Sequence, residues 1–261
     1  MQSNISPISV EKIRAGFVNK DLQNLPIYYY DVTDSTNERA KEYAKSSSSD
    51  AIFIAEKQTA GRGRMGRRFE SDESVGIYVS FLTHPTIRPD EAATLTVKAA
   101  VALSRAIEEV AGFTPSIKWV NDLEFSGKKL AGILAEGKAV DDSHLSYAIT
   151  GIGVNVYKRQ FSSEISDIAT TIEDASGKRV EREAIISRLT EELFRDEDYS
   201  DIISYYREHC STIGCNITVK RIDSSFPARA IDVNEKGELL IEKENGEREY
   251  LYSGELSVRR S

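Results

Sequence analysis

Gln58-Thr59-Ala60-Gly61-Arg62-Gly63-Arg64-Met65-Gly66-Arg67-Arg68-Phe69 lies between two β-branched and aromatic runs, Ala51-Ile52-Phe53-Ile54-Ala55 and Val75-Gly76-Ile77-Tyr78-Val79-Ser80-Phe81-Leu82. It therefore reads as a loop joining two strands. Its glycines let the backbone approach a ligand and turn N–H groups inward together. Arg62, Arg64, Arg67 and Arg68 sit among them in a chain of net charge −8. Guanidinium forks match carboxylate and phosphate oxygens bidentately, so local positive charge on an acidic background points to an anionic ligand.

Several readings fit that loop by itself. It could be a solvated basic turn. Gly61, Gly63 and Gly66 satisfy G-x-G-x-x-G, but a dinucleotide fingerprint should open a helix and here a strand follows. A kinase glycine loop shares the spacing, yet no H-R-D or D-F-G follows. Nucleic-acid binding through an Arg/Gly segment is a further alternative.

Composition narrows the choice. The chain has 261 residues, 40% hydrophobic and 29% charged, which suits one large domain with a small module. A pI near 5.2 argues against an extended nucleic-acid surface. Cys210 and Cys215 cannot build a disulfide framework, and with His209 they do not complete a zinc site. No signal peptide or membrane span is apparent, and the expected setting is cytoplasmic.

Along the chain, residues 1–26 read as a helical lead-in, 27–213 as the main domain and 214–261 as a small module. Ile27-Tyr28-Tyr29-Tyr30 reads as a strand; Ser35 and Glu38 stand at capping-box spacing before an Ala/Lys/Glu helix. A long helix with many small residues follows from Pro89 to Val110, suited to close packing on a sheet. Strands are expected at Ser116–Val120, Lys129–Glu136 and Tyr147–Asn155, with helices at Ile165–Asp174, Glu181–Phe194 and Ile202–His209. From Cys215 onward, short strands alternate with turns at Glu235-Lys236-Gly237 and Glu244-Asn245-Gly246. Seven acidic and three basic residues between Glu235 and Glu255 make this module no phosphate binder.

With these pieces placed, the chain resembles the biotin protein ligases, or biotin–acetyl-CoA-carboxylase ligases. Five motifs carry the resemblance in order: Asp34-Ser35-Thr36-Asn37, Gln58 through Arg67, Lys118-Trp119-Val120-Asn121-Asp122, Lys129-Leu130-Ala131-Gly132-Ile133-Leu134 and Gly151-Ile152-Gly153-Val154-Asn155. Ser253-Gly254-Glu255-Leu256-Ser257-Val258 is similar to part of the family's terminal barrel. The resemblance implies an α+β fold: a catalytic domain like that of class II aminoacyl-tRNA synthetases, a mixed sheet with helices, followed by an SH3-like β-barrel. It also implies the form without the N-terminal DNA-binding domain. Val120 stands where proline is usual, which should loosen that turn, and Phe69 where tryptophan is common.

The implied activity is a ligase that activates biotin with ATP to biotinyl-AMP and transfers it to a lysine of a biotin carboxyl carrier domain. By the resemblance, Ser35, Thr36, Asn37, Gln58, Gly61, Arg62, Gly63, Arg64, Lys129, Gly132 and Gly151 form the biotin site. Arg64, Arg67, Phe69, Lys118, Asn121 and Asn155 would meet the nucleotide. Arg64, Lys129 and Asp122 are the expected catalytic residues. Mg²⁺ is expected with ATP, although no ligand cluster can be read, and a homodimer is a possible assembly. A lipoate ligase would carry Ser-Gly-Gly-Gly before His-Asp, a run absent here. The alternative from another class is a nucleic-acid-binding adaptor built on the arginine loop and the barrel.

Overall fold

The protein is described by a computed structural model covering residues 5–220, 224–252 and 255–259, the last stretch for backbone only apart from Leu256. Arg221, which the sequence reads as the end of a first barrel strand from Asn216, and Ser253 and Gly254 of the barrel motif lie outside the described residues.

Twelve strands divide between two sheets among the described residues. The larger contains β1 (Ile27–Thr33), β2 (Ala51–Gln58), β3 (Gly76–Thr83), β4 (Ser116–Lys118), β5 (Asp122–Phe125), β6 (Lys128–Ala139) and β7 (Leu145–Asn155), in the order β1-β2-β3-β7-β6-β5-β4. The β1–β2 pair is parallel and the others antiparallel. Alternation along the strands gives the sheet two different faces. Ile52, Ile54, Ile77 and Val79 turn to a back face that joins the main core, whereas Ala51, Phe53, Leu82 and Ile149 turn to the front.

The back is covered by α3 (Ala93–Ala111), after the lead-in helix α1 (Val10–Ala15) and the front-face helix α2 (Thr36–Tyr43). α3 is buried almost all round, with Val97, Ala100, Val101, Ser104 and Ile107 enclosed. Its alanines allow it to lie against the sheet while α5 (Arg182–Leu193) and α6 (Tyr199–His209) pack on its other sides. It ends on Gly112 at φ 78°, the left-handed position glycine reaches without a Cβ clash.

The expected helix at Ile165–Asp174 is displaced. Residues 165–168 form turns, Ala169 bridges to Lys129, and the helix α4 occupies Ile172–Ser176. The reason is a competing backbone partner: Lys129 N–H donates to the Ile168 carbonyl at 2.7 Å, and Thr170 N–H to the Lys129 carbonyl at 2.9 Å. Apolar residues at helical spacing here serve a strap across β6. The lead-in is likewise shorter than expected, α1 followed by a 3-10 turn at Lys20–Asn24.

The smaller sheet contains β8 (Asn216–Lys220), β9 (Ser225–Val233), β10 (Leu239–Lys243), β11 (Arg248–Leu251) and β12 (Glu255–Arg259), antiparallel in the order β11-β10-β9-β8-β12. It docks on the larger unit. Trp119 Nε1 donates to the Gly237 carbonyl at 2.9 Å, Lys236 pairs with Asp90 at 3.3 Å, and Arg207 pairs with Glu235 at 3.0 Å.

Candidate active site

The front face carries a cavity of about 430 Å³. Strand register sets out the sheet face on which it rests. One row runs Phe53, Ser80, Gly151, Leu134 across β2, β3, β7 and β6, and the next runs Ala55, Tyr78, Gly153, Gly132. Glycines in the middle of both rows leave room for side chains to lie flat on the sheet. A Cβ on Gly151 would run into the Asn37 amide, and one on Gly153 would come within 2.5 Å of the Phe69 ring.

α2 closes one end. Ser35 occupies the expected N-cap position, but its side chain makes no capping bond, so the capping box does not form. Gln58 takes over instead, its Oε1 accepting from Thr36 N–H at 2.8 Å and lying 3.1 Å from Thr36 Oγ1. Ser35 is thereby left to line the cavity. Gln58 is fixed from its other end by donating Nε2 to Ser71 Oγ at 2.9 Å. Glu38, the residue expected to complete the box, pairs with Arg62 and Lys41.

The arginine loop is a small hairpin. Phe69 N–H bonds the Gly61 carbonyl, Gly63 N–H the Arg67 carbonyl, and a 3-10 turn at Arg64–Gly66 holds Met65 at φ 56°. It lies across the cavity from helix to turn. Arg62 pairs with Glu38 on α2 at 2.8 Å, and Arg64 donates to Asn121 Oδ1 at 3.2 Å. Burial lowers the affinity of the Arg64 guanidinium for its proton, opposed by Asp122 and Tyr206; an arginine there remains a cation at neutral pH.

Lys129 reaches the opposite end through a β-bulge. Asp122 faces Gly132 and Leu123 faces Ala131, but Glu124 faces Lys129, so Leu130 is the extra residue. Lys129 Nζ lies over Gly132 and donates to Asp122 Oδ1 at 2.7 Å. Lys118 pairs with the nearly buried Glu124 at 3.1 Å. Val120, expected to loosen its turn, is buried, and its carbonyl accepts from Tyr206 Oη at 3.1 Å. Trp119 N–H donates to Thr212 Oγ1 at 3.0 Å.

The structure thus gathers on one cavity wall Ser35, Thr36, Asn37, Gln58, Arg62, Gly63, Arg64, Arg67 and Phe69 together with Lys118, Asn121, Asp122, Lys129, Gly132, Gly151 and Asn155. Gly61 is not on the wall; it lies at the neck of the hairpin, where a Cβ would be 2.6 Å from the Phe69 carbonyl oxygen. Several wall residues escaped the sequence reading, Arg159 and Leu256 among them. Arg159, its side chain 7% exposed, pairs with Asp72 at 2.5 Å and donates to Asn155 Oδ1 at 3.3 Å. Leu256 comes from the smaller sheet. Among the described residues no three or more His, Cys, Asp or Glu are grouped to hold a metal ion, and no helix is long and apolar enough to cross a membrane.

The arrangement has two chemical ends in one cavity: neutral hydroxyl and amide groups beside α2, and ammonium and guanidinium groups beside β5 and β6. Comparison with known proteins gives the family. Residues 29–155 match the biotin/lipoate A/B protein ligase family, and residues 212–259 match the biotin protein ligase C terminal domain. The chain is 34% identical to the bifunctional ligase/repressor BirA of Bacillus subtilis, over 96% of this chain and 79% of that one. It is 30% identical to the biotin--[acetyl-CoA-carboxylase] ligase of Mycobacterium tuberculosis, with 80% of each covered. Among solved structures, it superposes on the biotin protein ligase from Aquifex aeolicus in complex with biotin and ATP with a TM-score of 0.73 and 32% identity, covering 90% of this chain and 99% of that one.

Proposed function

The chain belongs to the biotin protein ligase family, an ATP-dependent ligase of that kind, and from this premise we propose how its cavity handles biotin and ATP. The lipoate alternative is not favoured, since the C-terminal match and the named relatives are of biotin ligases.

The carrying observation is the two-ended cavity. A ureido ring offers two N–H groups and one carbonyl, which suits the hydroxyls and amide of Ser35, Thr36 and Gln58. At the far end, the biotin carboxylate and the ATP α-phosphate must touch despite their repulsion. Lys129 is suited to both, because a compact ammonium can exchange Asp122 for a ligand oxygen. Arg64 and Lys118 would take the phosphates; Asn121, Asn155, Arg67 and Phe69 would border the nucleotide. A carboxylate oxygen of biotin then attacks the α-phosphorus, and pyrophosphate leaves with the electrons of the broken P–O bond. Positioning and fixed charge supply most of such catalysis. The hairpin with Arg62 and Arg64 keeps water from the mixed anhydride until an acceptor lysine's amine attacks its carbonyl and AMP leaves. Asp122, once Lys129 has turned to the ligand, would receive the amine's proton.

Mg²⁺ is expected with ATP, where the phosphates and water would supply its ligands. The finer points belong to the same proposal: a biotin carboxyl carrier domain of acetyl-CoA carboxylase or a related enzyme as acceptor, a cytoplasmic setting, a possible homodimer, and a catalytic unit at 27–213 followed by an SH3-like unit at 214–261. Exchange of labelled pyrophosphate into ATP tests the reading. It should require biotin and not run with lipoate, and an acceptor domain should then become labelled. Exchange driven by lipoate alone would overturn it.

A further inference from the structure

Glu136 lies on β6 two residues beyond Leu134, opposite Ile149 and just outside the cavity wall. Its oxygens have separate partners: Oε2 accepts from Asn37 Nδ2 at 2.7 Å and Oε1 from Lys41 Nζ at 2.8 Å. The first bond fixes which way round the Asn37 amide sits. A carboxylate only accepts, so Nδ2 must face it, and Oδ1 is left facing Ser80 Oγ at 2.6 Å. Reversal of the amide would bring two acceptors together. Ser80 carries a single hydroxyl proton, and Oδ1 takes it. Ser80 Oγ is also 2.7 Å from Thr36 Oγ1, and with its proton on Oδ1 it can only accept there, in competition with Gln58 Oε1 at 3.1 Å from the same Thr36 hydroxyl. The charge on Glu136 therefore sets the direction of a buried chain of hydrogen bonds that ends on a hydroxyl of the cavity wall.

A second path leaves through Lys41. Its ammonium also bonds Glu38 Oε1 at 2.9 Å, and the same oxygen is 2.8 Å from Arg62 of the hairpin. Glu136 is thus joined to both the floor and the loop at the neutral end of the cavity. Asn37 is 4% exposed and lies directly on Gly151, with no room for another rotamer on that side.

Resting on the reading of the cavity given above, we propose that Glu136 is a positioning residue for biotin. It acts through Asn37 and Ser80 on Thr36, and through Lys41 and Glu38 on Arg62. A merely structural cross-link between α2 and β6 would affect stability alike with every substrate. A positioning role separates the two substrates.

Pyrophosphate exchange is measured with biotin varied at saturating ATP, and with ATP varied at saturating biotin, for the wild type, Glu136→Ala and Glu136→Gln. Thermal unfolding reports whether each variant is folded. The expected result for Glu136→Ala is a biotin KM raised about tenfold or more, the scale of one lost charged hydrogen bond, with the ATP KM within about twofold. Glu136→Gln keeps an oxygen for one partner and loses the other, so its biotin KM should rise less. If Glu136→Ala does not fold, Glu136→Gln carries the comparison. Folded variants with an unchanged biotin KM, or with both KM values raised equally, overturn the proposal. A wild-type protein without biotin-dependent exchange defeats the underlying functional reading instead, a failure visible before any variant is made.

Discussion

On the back of the seven-stranded sheet Arg182 is 1% exposed and its partner Glu56 4%, whereas on the front Lys129 and Asp122 keep 35% and 23% of their side chains in contact with solvent. The back pair is bidentate, at 2.8 and 3.1 Å, and its remaining capacity is used. Arg182 also donates to the Ser6 and Gly76 carbonyls, and Glu56 accepts from Ile8 N–H. Such a pair ties the lead-in segment and α5 to β2 and has nothing left to offer a ligand. The front pair is a single contact at 2.7 Å at the edge of a cavity. Either partner can exchange the other for an anion or a cation without being stranded. Satisfaction of every donor and acceptor marks a structural charge, and a half-open pair marks one that can work on a substrate.

Removing one partner on each face separates the two roles. Arg182→Ala should cost about 3–5 kcal/mol in denaturant unfolding, because Glu56 is left buried and uncompensated. Replacing both residues by apolar ones of similar size should cost much less. A loss below about 1 kcal/mol for the single variant would mean that water reaches Glu56, and the contrast between the faces would fail. Lys129→Ala should do the reverse. Adenylate formation is expected to fall by about 10²–10³, the scale of removing one charge-stabilising donor, with the thermal midpoint nearly unchanged. Exchange that stays close to wild type would remove Lys129 from the reaction.

Much of the front face was legible because its chemistry sits in short, contiguous motifs. Gly151 and Gly153 belong to one such motif, and the structure lays Asn37 and Phe69 on them. Lys129 could be singled out from its motif, but the bulge at Leu130 that turns it into the cavity could not, since a bulge exists only relative to a partner strand. Arg159 and Leu256 were missed for a similar reason. Arg159 meets Asp72 across 87 residues of chain, and Leu256 reaches the cavity only once the smaller sheet has docked. Local rules also misled where a tertiary partner was stronger. Ser35 and Glu38 have capping-box spacing, yet Gln58 satisfies Thr36 and the loop takes Glu38. Residues 165–169 have helical apolar spacing, yet Lys129 claims their backbone. The Arg182–Glu56 pair left no trace at all, because isolated charges in two amphipathic segments look alike whether they end in solvent or in the core.

Acid should reveal the remaining difference, through Glu136. Burial by itself would raise its carboxyl, but hydrogen bonds from Lys41 and Asn37, with the charges of Lys41 and Arg62, outweigh this and hold it below the usual carboxylate range. A folded-state value below the unfolded one means that the folded protein binds fewer protons in acid. The stability this contributes is complete above the unfolded value, about 4.3, and is lost as pH falls through the lower folded one. Glu136→Gln cannot titrate. Its thermal midpoint should therefore lie below that of the wild type near neutrality, and the gap should close as pH drops below about 4. The side chain is 30% exposed, so solvent screening keeps the effect under about 1 kcal/mol. In a chain of this size that is a shift of only about 2–4 °C. Calorimetry of both proteins across this pH range checks it. A gap that widens in acid would mean that the proton-bound form of Glu136 is the one the fold prefers, contrary to a carboxylate that directs the Asn37 amide.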